Sequence, residues 1–117
     1  VAEVDEVSEA QVEPTPVVEE DPAHSEARRF ARLLVTEIKL YNESEVEEGR
    51  KHSDLYRRLK ADIDRSREMY ERRVQSSVRQ AKDFFHSEIL RILAKGDPEA
   101  MGDDYPGEVL ENAEASE

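Results

Sequence analysis

The sequence predicts an all-α fold. The expected form is a helical hairpin or three-helix domain whose long second helix bends near residues 75–77, flanked by disordered acidic tails. Three observations carry this. Apolar residues recur at steps of three and four through the middle of the chain, the period of one helical face. The 117 residues hold only 4 Gly and 5 Pro, with none of either between Ser53 and Lys95, too few for a turn-rich β fold. Charge is also segregated along the chain. Residues 1–25 carry eight carboxylates and residues 97–117 another eight, with no Lys or Arg in either stretch; all 17 basic residues lie between, against 13 acidic ones. The net charge of -12 therefore belongs to two acidic ends around a mildly basic centre.

Residues 1–21 read as a disordered acidic linker. Val7, Val12, Val17 and Val18 are set among carboxylates and the prolines Pro14 and Pro16, without a sustained period and without an aromatic to nucleate a core. The stretch has no basic start and no apolar run of about 7–15 residues, so it does not read as a signal peptide. Its linker character leads us to expect a larger parent protein, with this chain at one end.

Asp21-Pro22 is a helix start: the carboxylate accepts from orphan amides, and proline loses nothing at the first helical position. Ala27, Phe30, Ala31, Leu34, Ile38, Tyr41 and Val46 then trace one face, widened by Leu33, Val35 and Leu40, with Arg28, Arg29, Arg32 and Lys39 on the rest of the circumference. The acidic run from Glu43 to Glu48 is poor company for a helix C-terminus. The helix therefore either frays after Asn42 or runs on toward Gly49; the continued stripe at Val46 favours the longer version, 22–48.

Ser53-Asp54 caps the next helix, whose face is Leu55, Leu59, Ile63, Ser66, Tyr70, Val74 and Val78. Ala81, Phe84, Phe85, Ile89, Ile92 and Leu93 continue it, and Gly96 before Asp97-Pro98 ends it. A single helix over 53–95 would be roughly 65 Å long. Gln75-Ser76-Ser77 is its weak point, because serines compete for backbone hydrogen bonds, and a break there gives helices at 53–75 and 77–95. The helical domain is thus 22–96, and 97–117 reads as a disordered acidic tail in which Tyr105, Val109 and Leu110 are the sizeable apolar groups.

The runs Ala27-Arg28-Arg29-Phe30-Ala31-Arg32-Leu33-Leu34-Val35-Thr36-Glu37-Ile38-Lys39-Leu40-Tyr41-Asn42, Gly49-Arg50-Lys51-His52-Ser53-Asp54-Leu55-Tyr56 and Arg67-Glu68-Met69-Tyr70-Glu71-Arg72-Arg73-Val74 resemble an uncharacterised helical domain of bacterial proteins, often found C-terminal to zinc-ribbon or response-regulator modules. The resemblance covers residues 26–97 and implies a helical appendage of a regulatory protein. Members often carry proline after the position of Val74, where this chain has Gln75, which leaves the helix break less firmly specified here. The resemblance brings no catalytic residues with it.

Few constellations suggest chemistry. Without cysteine, thiol catalysis, disulfides and thiolate metal sites are excluded. Asp83 and His86, one turn apart, form half of a helical metal site, but the adjacent Phe84 and Phe85 argue that the inward positions are apolar. Glu48 and His52 read as a solvated pair. Asp62, Asp64, Glu68 and Glu71 interleave with Arg65, Arg67, Arg72 and Arg73 at ion-pair spacing. No phosphate loop, nucleophile elbow or metalloprotease His pair occurs. We expect no enzyme, no cofactor, no metal and no small-molecule substrate. The longest apolar run, Leu33-Leu34-Val35, is far too short to span a bilayer, and a cytoplasmic location is the default.

The expected function is oligomerisation or protein interaction, with a homodimer or other protein partner covering apolar faces that a small domain cannot bury alone. The expected interface is Phe30, Leu34, Ile38, Tyr41, Leu55, Leu59, Ile63, Tyr70, Val74, Phe85, Ile89 and Ile92. The alternatives are a membrane-surface role for the arginine-flanked first helix and, more seriously, a nucleic-acid-binding regulator. The latter would use Arg57, Arg58, Arg72 and Arg73 of the basic 53–95 segment, with the acidic tails as an electrostatic brake.

Overall fold

A computed structural model of the chain describes residues 21–110; the expected disordered linker over 1–20 and the end of the expected acidic tail, 111–117, lie outside them. Every regular element among the described residues is helical: α1 (Pro22–Tyr41), α2 (Glu43–His52), α3 (Leu55–Arg73), α4 (Ser76–Ala81) and α5 (Phe84–Glu88), the last widening into a π turn (Ile89–Leu93), and then a short 3-10 turn (Pro98–Met101). The all-α reading holds. The elements are more numerous than the sequence suggests, because the chain breaks at two places where continuity was expected.

Helix α1 starts as its residues dictate. Asp21 accepts from the Ala23 amide at 2.8 Å and Pro22 opens the first turn. Ala27, Ala31, Leu34, Val35 and Ile38 form its buried face. The helix stops at Tyr41, so the longer 22–48 version is corrected. The reason is Asn42, whose side-chain amide donates to the Ile38 carbonyl (2.8 Å) and to the Asp62 carboxylate on α3 (3.0 Å), satisfying an orphan acceptor and fixing the corner to its neighbour. The acidic run is then in favourable company. Glu43 and Glu45 lie in the first turn of α2, and Arg50, Lys51 and His52 in its last, the charge order the helix dipole prefers.

The corner between α2 and α3 is tight. Ser53 takes a left-handed conformation (φ 56°), and Gly49 lies so close to Leu55 that a Cβ would sit 2.7 Å from Leu55 Cδ2 and 3.0 Å from its Cα. Asp54 stands at the N-cap of α3, yet its carboxylate pairs with Arg58 at 2.7 Å instead of capping the amides. Leu55, Tyr56, Leu59, Ile63 and Tyr70 face inward, with a local kink at Leu59.

The expected break near 75–77 is present. Val74 and Gln75 are extended and α4 starts at Ser76, while Arg79 donates to the carbonyls of Glu71 (2.8 Å) and Val74 at the end of α3. A second, unexpected break at Lys82–Asp83 corrects the continuous 77–95 helix. There Asp83 caps α5 by accepting from the His86 amide (3.0 Å) while its carboxylate is drawn to Arg67 on α3. This reorientation buries both Phe84 and Phe85, adjacent residues that a straight amphipathic helix would place about 100° apart. The far end of the π turn is held by Arg50 of α2, which donates to the carbonyls of Leu93 (2.7 Å) and Ile92 (3.1 Å).

Helix α1 is the central member. Helix α5 runs parallel to it, with Arg28 over the Phe84 ring (4.9 Å) and Arg32 near Glu88 (3.8 Å). Helix α3 runs antiparallel on another side, with Arg73 over Phe30 (4.6 Å) and Asn42 bonded to Asp62. The expected acidic tail is corrected for residues 97–110. Asp97 caps the 3-10 turn, Ala100 and Met101 are buried against α2 and α3, and the segment returns to place the Val109 amide on Asp83 at 2.8 Å. The carboxylates of this stretch are exposed, Ala100 and Met101 are buried and Tyr105 is half-buried, while Val109 and Leu110 stay exposed.

Candidate protein-interaction face

The residues expected at an interface divide sharply. Leu34, Ile38, Leu55, Leu59, Ile63, Tyr70, Val74, Phe85 and Ile89 are all buried in the chain's own core. They are unavailable to a second molecule, and their assignment as interface residues is corrected: the extra helices and the packed 97–110 segment cover the stripes that two or three helices would have left open. Phe30 and Ile92 are half-buried, and Tyr41 is 83% exposed.

Apart from Val109 and Leu110 near the end of the described residues, the large apolar side chains that remain exposed lie on the outer side of α1 and the adjoining side of α3. Leu33 is 54% exposed and Leu40 60%, seven residues apart and so on one helical face, with Tyr41 beside them. On α3, Met69 (43% exposed) stands one turn before Arg73, which covers Phe30. Met69 therefore faces the same side as Phe30 and Leu33. Sequence reasoning treated Leu33 and Leu40 as widening of the core stripe. Their signal was present: a helix apolar over so much of its circumference cannot turn every such residue inward.

At the N-terminal end of this face a cleft of about 530 Å³ opens between α1 and the α3–α4 junction. Ala23, Ala27, Phe30, Leu33, Val74 and Val78 supply its apolar wall; Arg29, Arg73, Glu26 and Gln75 supply its polar lining.

The arginines singled out for nucleic acid are not a shared patch. Arg57 pairs with Asp104 at 3.1 Å, and Arg58 with Asp54 (2.7 Å) and Glu45 (3.0 Å), carboxylates that raise its pKa. Arg72 lies 3.7 Å from Glu68, and Arg73 sits on Phe30. The two pairs also stand some fifteen residues apart on α3, roughly 22 Å along the axis. Phosphate binding needs clustered, uncompensated cations.

The densest polar chemistry is internal. The Asp83 side chain, fully buried, receives both guanidinium nitrogens of Arg67 (3.0 and 2.8 Å), the His86 amide and the Val109 amide. Burial works against the Arg67 charge, but the hydrogen bonds and charge of Asp83 outweigh it and raise its pKa. His86 Nδ1 meets the Tyr105 hydroxyl at 2.7 Å with the two rings nearly parallel, and burial lowers the imidazole pKa while raising that of the phenol. The pair noted as half a metal site is thus spent on capping and latching. Among the described residues no group of three His, Asp or Glu could hold a metal ion, and no helix is long and apolar enough to cross a membrane. Glu48 and His52 meet at 3.4 Å on the open surface.

No protein-family model, curated protein or solved structure matches the chain.

Proposed function

We propose that this chain is a non-enzymatic self-association domain whose outer α1 face pairs with the same face of a second copy. One observation carries the reading: Leu33, Leu40, Tyr41 and Met69 stay exposed on one side of a fold that otherwise buries its large apolar groups along α1 and α3. A two-fold, antiparallel pairing of α1 helices about Thr36 and Glu37 sets Leu33 against Leu40 and Arg32 against Tyr41, each contact occurring twice. Completing the burial of such half-exposed side chains adds about 1 kcal/mol each. Against an association cost of several kcal/mol, this gives a dimer that dissociates on dilution. The resemblance to helical appendages of bacterial regulatory proteins fits a role in bringing two copies of a larger cytoplasmic protein together.

Sedimentation of the 117-residue chain across the micromolar range tests this. A monomer–dimer equilibrium is expected, shifted to monomer in Leu33→Glu/Leu40→Glu. A chain that stays monomeric throughout, or a variant that dimerises as before, overturns the reading.

A further inference from the structure

We infer that the cleft between α1 and the α3–α4 junction is a docking site for the chain's own segment Val17-Val18-Glu19-Glu20. The cleft has an apolar wall that includes Phe30, Val74 and Val78, and its charged lining is two arginines, Arg29 and Arg73, against one carboxylate, Glu26. A ligand for it is therefore short, apolar at one point and anionic at the next. Residues 1–20 carry seven carboxylates and no Lys or Arg, and their last four are two valines followed by two glutamates. Charge and apolar pattern both match.

Connectivity favours this occupant over one arriving from solution. The segment joins α1 at Asp21, two residues before Ala23, which lines one end of the cleft. From Ala23 to Leu33 the cleft follows α1 for roughly 15 Å, a span that about five extended residues cover. So short a tether gives an effective concentration of order millimolar, enough for weak contacts to be occupied. Occupied this way, the cleft is closed to other molecules while Leu40 and Tyr41, farther along α1, remain outside it. Leu33 lines the cleft and also belongs to the proposed self-association face, so docking and self-association meet at that residue and differ at Leu40 and Tyr41.

The native chain has no cysteine, so disulfide trapping reads the contact directly. In the full chain, Val18→Cys with Gln75→Cys places one thiol on the segment and one on the exposed lining of the cleft. An intramolecular disulfide is expected to form about tenfold faster than in the same pair carrying Glu19→Lys/Glu20→Lys, with the advantage lost at high salt. Equal rates in the two backgrounds would mean that the tether alone brings the thiols together, and would overturn docking. A disulfide formed only between chains would assign the cleft to another copy and overturn it equally. Sedimentation of the same variants separates this result from any loss of dimerisation.

Discussion

Two regions of this small fold treat their side chains in opposite ways. From Lys82 to Leu110 the chain sends carboxylate, imidazole and phenol groups inward, and Asp83, His86 and Tyr105 find partners there. Along the outer side of α1 it leaves leucine and tyrosine in water. A buried charge that lacked its partner would cost several kcal/mol, so the first region tolerates little change. An exposed leucine costs the monomer almost nothing, so the second is available to evolve contacts. Stability and the proposed self-association would therefore sit on different faces and be separable by mutation.

The sharpest break is Arg67→Ala. It leaves the Asp83 carboxylate buried with two backbone amides but no counter-charge, and is expected to destabilise by about 3–5 kcal/mol. Urea denaturation followed by circular dichroism measures it. Asp83→Asn in the Arg67→Ala background should recover part of the loss, because it removes the orphaned charge; no recovery would show that the arginine acts by packing on Phe85, 4.9 Å away, instead of by charge. Next comes Gly49→Ala. Its methyl would press on the backbone of Leu55, which cannot rotate away, and a loss of about 1–3 kcal/mol is expected in the same assay.

These two sites also mark how much was legible beforehand. The periodicity of Ala27, Ala31, Leu34 and Ile38, the cap at Asp21 and the break at Gln75 follow from local rules, and the structure places them as read. Asn42 was legible only as the less favoured end of the first helix, and Asp83 was not legible as a break. Each stops a helix through a partner far away in sequence, Asp62 for one and Arg67 for the other, and no window along the chain contains both. The same blindness moved the interface. Leu55, Ile63 and Phe85 were assigned to an outside partner because the inside partners, the π turn and the 97–110 segment, were not visible as structure. Met101 and Tyr105 sit among carboxylates that suggest an unfolded tail, and only the packed fold shows the acidic groups facing out.

A smaller effect comes from pH. His86 faces Asp83 and Glu108, which favour its charged form, and Arg67 and Lys82, which oppose it, while burial is the largest influence and lowers its pKa below the ordinary 6.5. A depressed histidine pKa means that the unfolded chain binds the proton more readily. The contribution of His86 to stability is thus complete above the ordinary value and is lost as pH falls through it toward the lower folded value. Denaturation midpoints measured from about pH 7 to about pH 5 should decline. His86→Gln, which keeps an acceptor for Tyr105, should flatten that decline; an unchanged slope would assign it to other groups.

The smallest expected change in folding is the most informative one. Leu33→Glu/Leu40→Glu alters two positions that are more than half exposed, so the folding stability of the monomer should move by no more than about 0.5 kcal/mol per site. Association should fall at the same time. Because a dimer adds concentration-dependent stability, the comparison is made well below the dissociation range, where only the monomer is present. If the variant unfolds earlier there, the outer face of α1 belongs to the core after all and the separation of the two regions fails. If it keeps its monomer stability and loses the dimer, then the exposed leucines serve contact alone, and the polar latch around Asp83 frees them to do so by holding the fold without their help.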